Sequence, residues 1–211
     1  METNVEVLNY KVFLQELVRR FSYGYYLYGL TYYPEKKKDK WLKIDEKLLQ
    51  KYSIFTLSKY QRARRKRAGL INGRILRYKK WMVIQVTLGQ DDVQIIKEEN
   101  LVDIRKKTLI LKNLYGTLSF RIGIKEKGFT VYLEKECWRD LKAYWHEKAA
   151  KATPIELIQE WKKFDQACPS WTGITSQKIS LRKEVIERLK KRGIKNLNLD
   201  ISPLKSLKVW N

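Results

Sequence analysis

The sequence predicts an α+β fold with an antiparallel sheet of about five strands, a ferredoxin-like or RNA-recognition-like core, helices on one face and a C-terminal helical segment. Two observations support this prediction. Segments between residues 23 and 134 show the alternation or the apolar runs of strands, and the apolar period changes to that of a helix after residue 135. We expect residues 1–135 to form the sheet domain, and residues 136–211 to pack on it or to form a small helical subdomain.

The first half of the chain alternates helix and strand signals. Apolar residues from Val7 to Phe21 follow helical spacing, whereas the aromatic residues that come next favour a strand ending at Pro34. Asn72-Gly73 is typical of a tight turn. In chain order, the predicted elements are a helix at 5–21, a strand at 23–33, a helix at 41–52, a basic helix at 59–67 and a buried strand at 81–88.

The second half begins with residues 93–106, which show no clear period. A meander follows, because short alternating segments are separated by turn residues at Tyr115-Gly116 and Glu126-Lys127-Gly128. The segment from Thr153 to Glu156 then supplies an N-cap, a proline at the first helical position and a capping-box partner. The predicted elements are strands at 108–114, 117–125 and 129–134, and helices at 136–151, 155–165 and 177–192.

The charge balance of the chain indicates a polyanionic partner. Its 211 residues include 45 Lys and Arg against 23 Asp and Glu, and the resulting net charge of +22 destabilises a compact monomer by self-repulsion. The chain has neither an apolar run long enough to span a membrane nor an amphipathic helix with a basic rim, so no membrane partner is expected. We therefore expect nucleic acid, either DNA or RNA, as the partner, and the oligomeric state is left open.

The remaining composition bears on compartment and cofactors. The segment METNVEV lacks the apolar centre of a signal peptide, so we expect a cytoplasmic or nucleoid-associated protein that is not secreted. Cys137 and Cys168 are far apart in the chain, and His146 is the only histidine. These residues do not form a zinc-binding pattern, and no phosphate-binding loop or dinucleotide fingerprint occurs, so we expect no metal and no cofactor.

The segment from Ser58 to Lys80 is the strongest functional signal. It contains ten basic residues and no carboxylate. Ser58 and Gln61 stand at capping-box spacing and Gly69 offers a left-handed cap, so the first half predicts a helix. Guanidinium groups bind phosphate oxygens and release counterions, which favours a nucleic-acid site over a solvated basic face. The predicted phosphate contacts are Lys59, Arg62, Arg64, Arg65, Lys66, Arg67, Arg74, Arg77, Lys79 and Lys80.

Aromatic side chains supply a second signal. One face of the predicted aromatic strand carries Tyr23, Tyr25 and Tyr33 and the other carries Tyr26, Tyr28 and Tyr32, and either face can stack on bases. The stacking residues that we name are Tyr26, Tyr28 and Tyr32. The alternative is that these tyrosines pack beneath helices with their hydroxyls at the surface. Tyr60 and Ala63 of the basic helix are expected, in contrast, to rest on the core.

An enzyme is the alternative to a binding protein. The chain resembles, in outline, the HUH class of DNA-nicking endonucleases, in which two strand-borne histidines hold a metal and a helix-borne tyrosine is the nucleophile. Tyr144 lies on a predicted helix after the meander, but the paired histidines are missing. Asp91 and Asp92 follow the buried strand and are the alternative ligands for Mg²⁺ or Mn²⁺ in this hypothesis.

Three functions are left open. The preferred one is nucleic-acid binding by the basic helix and hairpin, in a replication, mobile-element or ribonucleoprotein system, and it needs no catalytic residue. The second is a nicking or strand-transfer endonuclease, and the third is a structural protein inside a ribonucleoprotein. A helix-turn-helix formed by the helices at 155–165 and 177–192 is disfavoured, because the predicted connection of about ten residues exceeds the three or four of that motif.

Overall fold

The computed structural model describes residues 5–90, 93–126, 128–195 and 197–201. The chain divides into two units, the first made of residues 1–109 and 126–129, the second of residues 110–125 and 130–211. The structure therefore groups most of the meander with the C-terminal helices, and the predicted boundary after residue 135 falls inside the second unit.

The described part of the chain contains seven α-helices and seven strands. The helices are α1 (Tyr10–Ser22), α2 (Trp41–Lys51), α3 (Lys59–Arg67), α4 (Val93–Glu98), α5 (Lys135–Lys151), α6 (Pro154–Ala167) and α7 (Thr172–Lys191). The strands are β1 (Leu27–Tyr32), β2 (Gly73–Tyr78), β3 (Trp81–Val86), β4 (Val102–Asp103), β5 (Leu109–Tyr115), β6 (Leu118–Lys125) and β7 (Gly128–Leu133). Two 3-10 segments, Glu35–Lys40 and Ser53–Phe55, flank α2.

The prediction of one sheet with about five strands is wrong, although the α+β class and the antiparallel pairing are confirmed. The strands form a four-stranded sheet in the order β2-β3-β1-β4 and a three-stranded sheet in the order β5-β6-β7. In the first sheet β3 lies between β2 and β1 and is antiparallel to both, with Tyr78 opposite Trp81 and Tyr32 opposite Trp81. The short strand β4 pairs with the other side of β1.

Helices cover both faces of the four-stranded sheet, so the prediction that they lie on one face is also wrong. All six residues of β3 are buried, and because successive strand residues point to opposite faces, both faces need a cover. On one face Ile75 and Ile84 belong to a core that also contains Trp41 of α2 and Ile95 of α4. On the other face α1 packs against the sheet, where the rings of Phe13 and Tyr78 are 5.8 Å apart.

Helix α1 begins later than its apolar spacing predicts. The side chain of Asn9 accepts a hydrogen bond from the amide of Lys11 at 2.8 Å and caps the helix. The residues before it are extended beside β2: the amide of Arg77 donates to the carbonyl of Val5 at 2.8 Å, and the amide of Val7 donates to the carbonyl of Arg77 at 2.7 Å. This part of the outer edge of β2 is therefore covered.

The β2–β3 hairpin turns at Lys79 and Lys80, not at Asn72-Gly73 as predicted. Lys79 has a φ of 48°, in the left-handed region. Gly73 instead begins β2, where a Cβ would lie 2.5 Å from the Phe55 ring. The glycine is needed for close packing of the strand on the core, which the turn interpretation missed.

The second unit combines the three-stranded sheet with α5, α6 and α7. Trp145, Trp161 and Phe164 form a ring cluster, with the centroids of the two tryptophans 5.1 Å apart. Buried Lys178 donates to Asp165 Oδ1 at 2.6 Å and to the carbonyl of Cys168 at 2.9 Å, so it stabilises the end of α6. Among the residues described, no helix combines the length and the apolar character needed to cross a bilayer.

Candidate nucleic-acid interface

Helix α3 is closed at both ends by local interactions that the sequence predicts. The Ser58 hydroxyl accepts from the amide of Gln61 at 3.2 Å, and the Gln61 side chain accepts from the amide of Ser58 at 2.7 Å, which completes the capping box. At the other end Gly69 has a φ of 69°. Its amide donates to the carbonyl of Lys66, and the amide of Leu70 donates to that of Arg65, the pattern of a Schellman cap.

Two arginines fix the inner side of α3. Arg62 Nη1 donates to the carbonyl of Leu57, and Arg65 Nε donates to the carbonyl of Ile71 at 3.0 Å. Both side chains are half-buried. Because residues three apart lie on the same side of a helix, these bonds tether one side of α3 to the chain segments before and after it.

The opposite side of α3 is exposed and forms what we call the outward ridge. At 3.6 residues per turn, Tyr60, Ala63, Arg64 and Arg67 lie opposite Arg62 and Arg65. None of α3 is buried, and the Tyr60 side chain is 86% exposed. The prediction that Tyr60 and Ala63 rest on the core is therefore wrong. Lys59 and Lys66 are exposed as well, and within the described chain neither they nor Arg64 and Arg67 form an ion pair.

The basic residues of the hairpin turn, Lys79 and Lys80, do not form one surface with α3. From Arg74 to Lys79 the chain runs along β2 for about 17 Å at the usual rise per strand residue, so the hairpin turn lies at the end of the strand away from α3. At that turn Lys79 is exposed, while Lys80 forms an exposed ion pair with Glu35 at 2.9 Å. The Lys80 ammonium holds the pKa of Glu35 below its usual range.

Arg77 is removed from the set of phosphate contacts, contrary to the prediction. Its side chain is 1% exposed, its Nε donates to Asp45 Oδ2 at 2.8 Å, and its Nη1 donates to Glu6 Oε1 at 3.0 Å. Burial opposes its charge, but the hydrogen bonds to Asp45 and Glu6 outweigh burial and raise its pKa. Tyr33 donates to the other oxygen of Asp45 at 2.9 Å, and burial together with that carboxylate raises the pKa of Tyr33. This network is a structural link between β2 and α2.

The predicted stacking tyrosines have three different environments. Tyr28 is buried, and its hydroxyl donates to the carbonyl of Thr108 at 3.0 Å, so its assignment as a stacking residue is wrong. The half-buried ring of Tyr26 carries the Arg105 guanidinium 4.4 Å from its centroid. Tyr32 is 47% exposed, and its ring lies edge-on to that of Trp81 with the centroids 6.4 Å apart.

A cluster of arginines near the start of β2 was missed by sequence reasoning. Arg20, in the last turn of α1, donates from Nη1 to the carbonyl of Ile75 at 3.3 Å. The side-chain amide of Asn72 donates to the carbonyl of Arg62 at 3.2 Å. Arg74 lies between these two anchor points on β2, and its charge acts on both the Arg20 and the Arg62 guanidinium, so the three side chains are neighbours. A signal existed in the pair Arg19-Arg20 at the end of an amphipathic helix, but nothing local shows which of the two turns toward the sheet.

Of the candidates for catalysis, the structure describes Tyr144 alone. Tyr144 is 43% exposed, and its hydroxyl donates to Glu160, which also pairs with Lys148 at 2.9 Å. Partial burial and the Glu160 carboxylate raise the pKa of Tyr144, which disfavours the ionised nucleophile. Asp91 and Asp92 lie outside the described residues. Within the described ranges, no group of three potential ligands converges on a metal position.

The histidine of the second unit is engaged by a carboxylate, and the two cysteines of that unit form no disulfide. His146 Nε2 is 2.9 Å from Glu184 on α7, and Lys142 pairs with the same carboxylate at 2.8 Å. Cys137 and Cys168 are free thiols, as expected from their spacing. Burial raises the pKa of the Cys137 thiol, which makes it less reactive.

The helix-turn-helix alternative needs a correction. Because α7 begins at Thr172, only residues 168–171 connect it to α6, and the predicted ten-residue connection is wrong. Residues in the N-terminal turns of α7, which would contact DNA in a helix-turn-helix, are nevertheless hydrogen-bonded to β7. Thr172 bonds to Thr130 at 2.9 Å, and the Gln177 side chain accepts from the amide of Leu133 at 2.8 Å, so this end of the helix faces β7 instead of open solvent.

One further basic surface lies on α5. A groove of about 710 Å³ is lined by Lys135, Trp138, Arg139, Lys142 and His146. Lys142 and His146 are committed to Glu184, and Arg139 is paired with Asp140 at 3.4 Å. The groove has the aromatic and basic composition expected of an auxiliary nucleic-acid contact. More of its basic side chains than those of α3 are, however, paired with carboxylates.

Comparisons with protein-family models, with curated proteins and with solved structures find no match to this chain.

Proposed function

We propose that this protein binds nucleic acid through the outward ridge of α3. The observation that carries the proposal is the environment of Arg64 and Arg67, which are exposed and form no ion pair within the described chain. The caps and the bonds of Arg62 and Arg65 hold the helix in place before any partner arrives. Binding then costs less conformational entropy than it would for a disordered basic segment.

The scaffold that we infer for the first unit is a ferredoxin-like core. Its support is the element order β1-α2-β2-β3-α4-β4 together with the strand order β4-β1-β3-β2, which is the split βαβ arrangement. Helices α2 and α4 contribute to the core on the same face. In this interpretation α1 is an addition on the opposite face, and α3 is an insertion between α2 and β2 that carries the binding ridge.

The chemistry of the ridge suggests how the contacts divide. Arg64, Arg67, Lys59 and Lys66 would neutralise phosphates, which positions the polymer without reading its sequence. Tyr60 offers an exposed ring on which a base can stack, worth about 1–3 kcal/mol where an unpaired base is available. We therefore expect single-stranded nucleic acid to bind more tightly than a duplex of the same length.

The test measures binding of labelled 20-nucleotide single-stranded and duplex DNA and RNA by fluorescence anisotropy across a range of NaCl concentrations. We expect the double variant Arg64→Gln/Arg67→Gln to bind more weakly than the wild type. Loss of two phosphate contacts should reduce the slope of log K against log salt by about 1.4 on single strands and about 1.8 on duplexes. Tyr60→Ala should weaken binding to single strands more than to duplexes.

The matched control is Lys36→Gln/Lys37→Gln, which removes the same charge from an exposed segment of the first unit. The control should leave the slope unchanged. Equal effects of the two double variants would contradict a localised site, because binding would then follow net charge alone.

A further inference from the structure

Three arginines lie near the start of β2, and each is positioned by a different part of the backbone. Arg20 reaches the carbonyl of Ile75 from α1, and Arg62 is fixed through its Nη1 bond to Leu57 and through its own carbonyl to Asn72. Arg74 emerges from β2 between Asn72 and Ile75, opposite Gln85 of β3. The backbone of Tyr25 is held beside α1, because the Tyr25 amide donates to the carbonyl of Arg20 at 3.1 Å.

This arrangement is electrostatically unfavourable in the absence of an anion. Burial lowers the pKa of Arg20 to about 10, and the charge of Arg74 adds to the effect against the opposing influence of Glu16. Burial and the charge of Arg74 likewise lower the pKa of Arg62. The Tyr25 phenol is close enough to influence both guanidiniums.

Little negative charge compensates the cluster. The one carboxylate near it, within the described residues, is Glu16, which is 3.7 Å from Arg20 but forms its shorter contact, 2.7 Å, with Arg19. Arg62 and Arg74 form no ion pair in the described part of the chain. Like charges that persist in a partly desolvated position with little carboxylate compensation are typical of an anion site, where repulsion in the free protein is relieved by the ligand.

We infer that Arg20, Arg62 and Arg74, with the Tyr25 hydroxyl, form a phosphate-binding subsite. The inference rests on the proposed function and extends it, because Arg62 lies on the inner side of the same helix that carries the outward ridge. The guanidiniums supply forked donors, and the phenol supplies a further donor for a tetrahedral anion. The phosphate can be an internal phosphodiester or a terminal phosphomonoester of the polymer, two sources that share this chemistry.

The first experiment uses inorganic pyrophosphate as the probe, titrated into the full chain by calorimetry at constant ionic strength. We expect Arg74→Gln to weaken pyrophosphate binding about tenfold, the effect of losing one charge-assisted hydrogen-bonding group. Arg74→Lys should give an intermediate loss, because it keeps the charge without the fork. The matched control Lys36→Gln/Lys37→Gln removes more charge from an exposed segment outside the subsite and should change the affinity less than about twofold.

Arg74→Gln should also raise the melting temperature of the free protein, since it removes repulsion. A folded variant that gains stability and loses pyrophosphate binding would distinguish the subsite from a structural role. Pyrophosphate binding that is unaffected by Arg74→Gln, or reduced equally by the control, would overturn the inference.

The second experiment distinguishes the two phosphate sources. Oligonucleotides with a 5′-phosphate, a 3′-phosphate or two hydroxyl ends are compared on the wild type and on Arg74→Gln. A preference for one phosphorylated end that disappears in the variant assigns a terminal phosphate, whereas an equal loss for all three assigns an internal one. If the pyrophosphate results hold but Arg64→Gln/Arg67→Gln leaves oligonucleotide binding unchanged, the subsite stands and the role proposed for the ridge fails.

Discussion

Residue identity did not determine the role of the arginines between 58 and 80. Arg64 and Arg77 belong to the same run of basic residues, yet Arg64 is exposed and Arg77 is buried against Asp45 and Glu6. The partners of Arg77 are 32 and 71 residues away in the chain. No local pattern indicates such distant carboxylates, so the sequence predicts the density of charge in this segment but not which charges are neutralised.

Arg77→Gln should destabilise the protein without a specific effect on nucleic-acid binding. The substitution leaves the Asp45 carboxylate buried without its charge partner, which costs about 3–5 kcal/mol of unfolding free energy. Urea unfolding followed by circular dichroism measures the change, and binding is assayed at a temperature where the variant is folded. The control Arg64→Gln should lie within about 0.5 kcal/mol of the wild type.

The double variant Arg77→Met/Asp45→Leu provides the complementary check. It removes both buried charges and should recover much of the stability lost in Arg77→Gln, because the carboxylate left behind, Glu6, is partly exposed to solvent. If Arg77→Gln were as stable as the wild type, the buried ion pair would have no structural importance.

At the scale of elements, the structure confirms best what the sequence encodes locally. The capping box of α3, the left-handed Gly69 and the Thr153-Pro154-Glu156 start of α6 are all present, because each depends on residues within one turn. Predictions that depend on distant packing fail. The Asn72-Gly73 pair resembles a turn, but the contact of Gly73 with Phe55 places it inside the strand.

The same contrast between local signals and distant packing explains the errors in the predicted sheet. The apolar run of β3 correctly predicts a buried strand, but it does not state that α1 covers one face while α2 and α4 cover the other. The candidate site follows this rule as well. Its α3 part was predicted from contiguous residues, whereas the contribution of Arg20 requires the approach of α1 to the edge of β2.

Ser58→Ala tests whether the preformed helix matters for binding. Loss of the N-cap should cost about 1 kcal/mol of helix stability and so weaken nucleic-acid binding by up to about fivefold, since the ridge must be reordered on contact. The salt slope should stay the same because no charge is removed. Anisotropy titrations at several NaCl concentrations measure both quantities, and Ser53→Ala in the preceding 3-10 segment serves as the control.

A salt slope that changes in Ser58→Ala would contradict this explanation. It would indicate that the cap residue itself contributes to phosphate binding, or that the helix is replaced by another arrangement of the arginines.

At the scale of the whole molecule, the excess of positive charge is only partly compensated by internal ion pairs. The chain has a net charge of +22, and some paired carboxylates, such as Glu160 and Glu184, lie between helices of the second unit. Helix α3 contains five arginines and lysines from Arg62 to Arg67 without a single acidic residue. The free protein is therefore expected to carry unrelieved repulsion.

Raising the NaCl concentration from about 20 mM to about 300 mM should increase the melting temperature. Screening over this range shortens the reach of the repulsion from about 20 Å to about 6 Å, and a gain of about 1–2 kcal/mol corresponds to roughly 4 °C for a chain of this size. Differential scanning fluorimetry measures the shift. Arg64→Gln/Arg67→Gln and Lys36→Gln/Lys37→Gln should both show a smaller shift, and a melting temperature that falls with salt would contradict the explanation.

The outer edge of β2 has a consequence for self-association. An exposed strand with apolar residues is a template on which a second chain can add a strand and begin a fibril. Here the backbone of Val5 and Val7 is hydrogen-bonded to Arg77 at one end of the β2 edge. At the other end the Arg20 guanidinium donates to the carbonyl of Ile75. At the far side of the sheet β4 is only two residues long. The arginine that we assign to a phosphate would thus also keep the sheet from recruiting copies of itself.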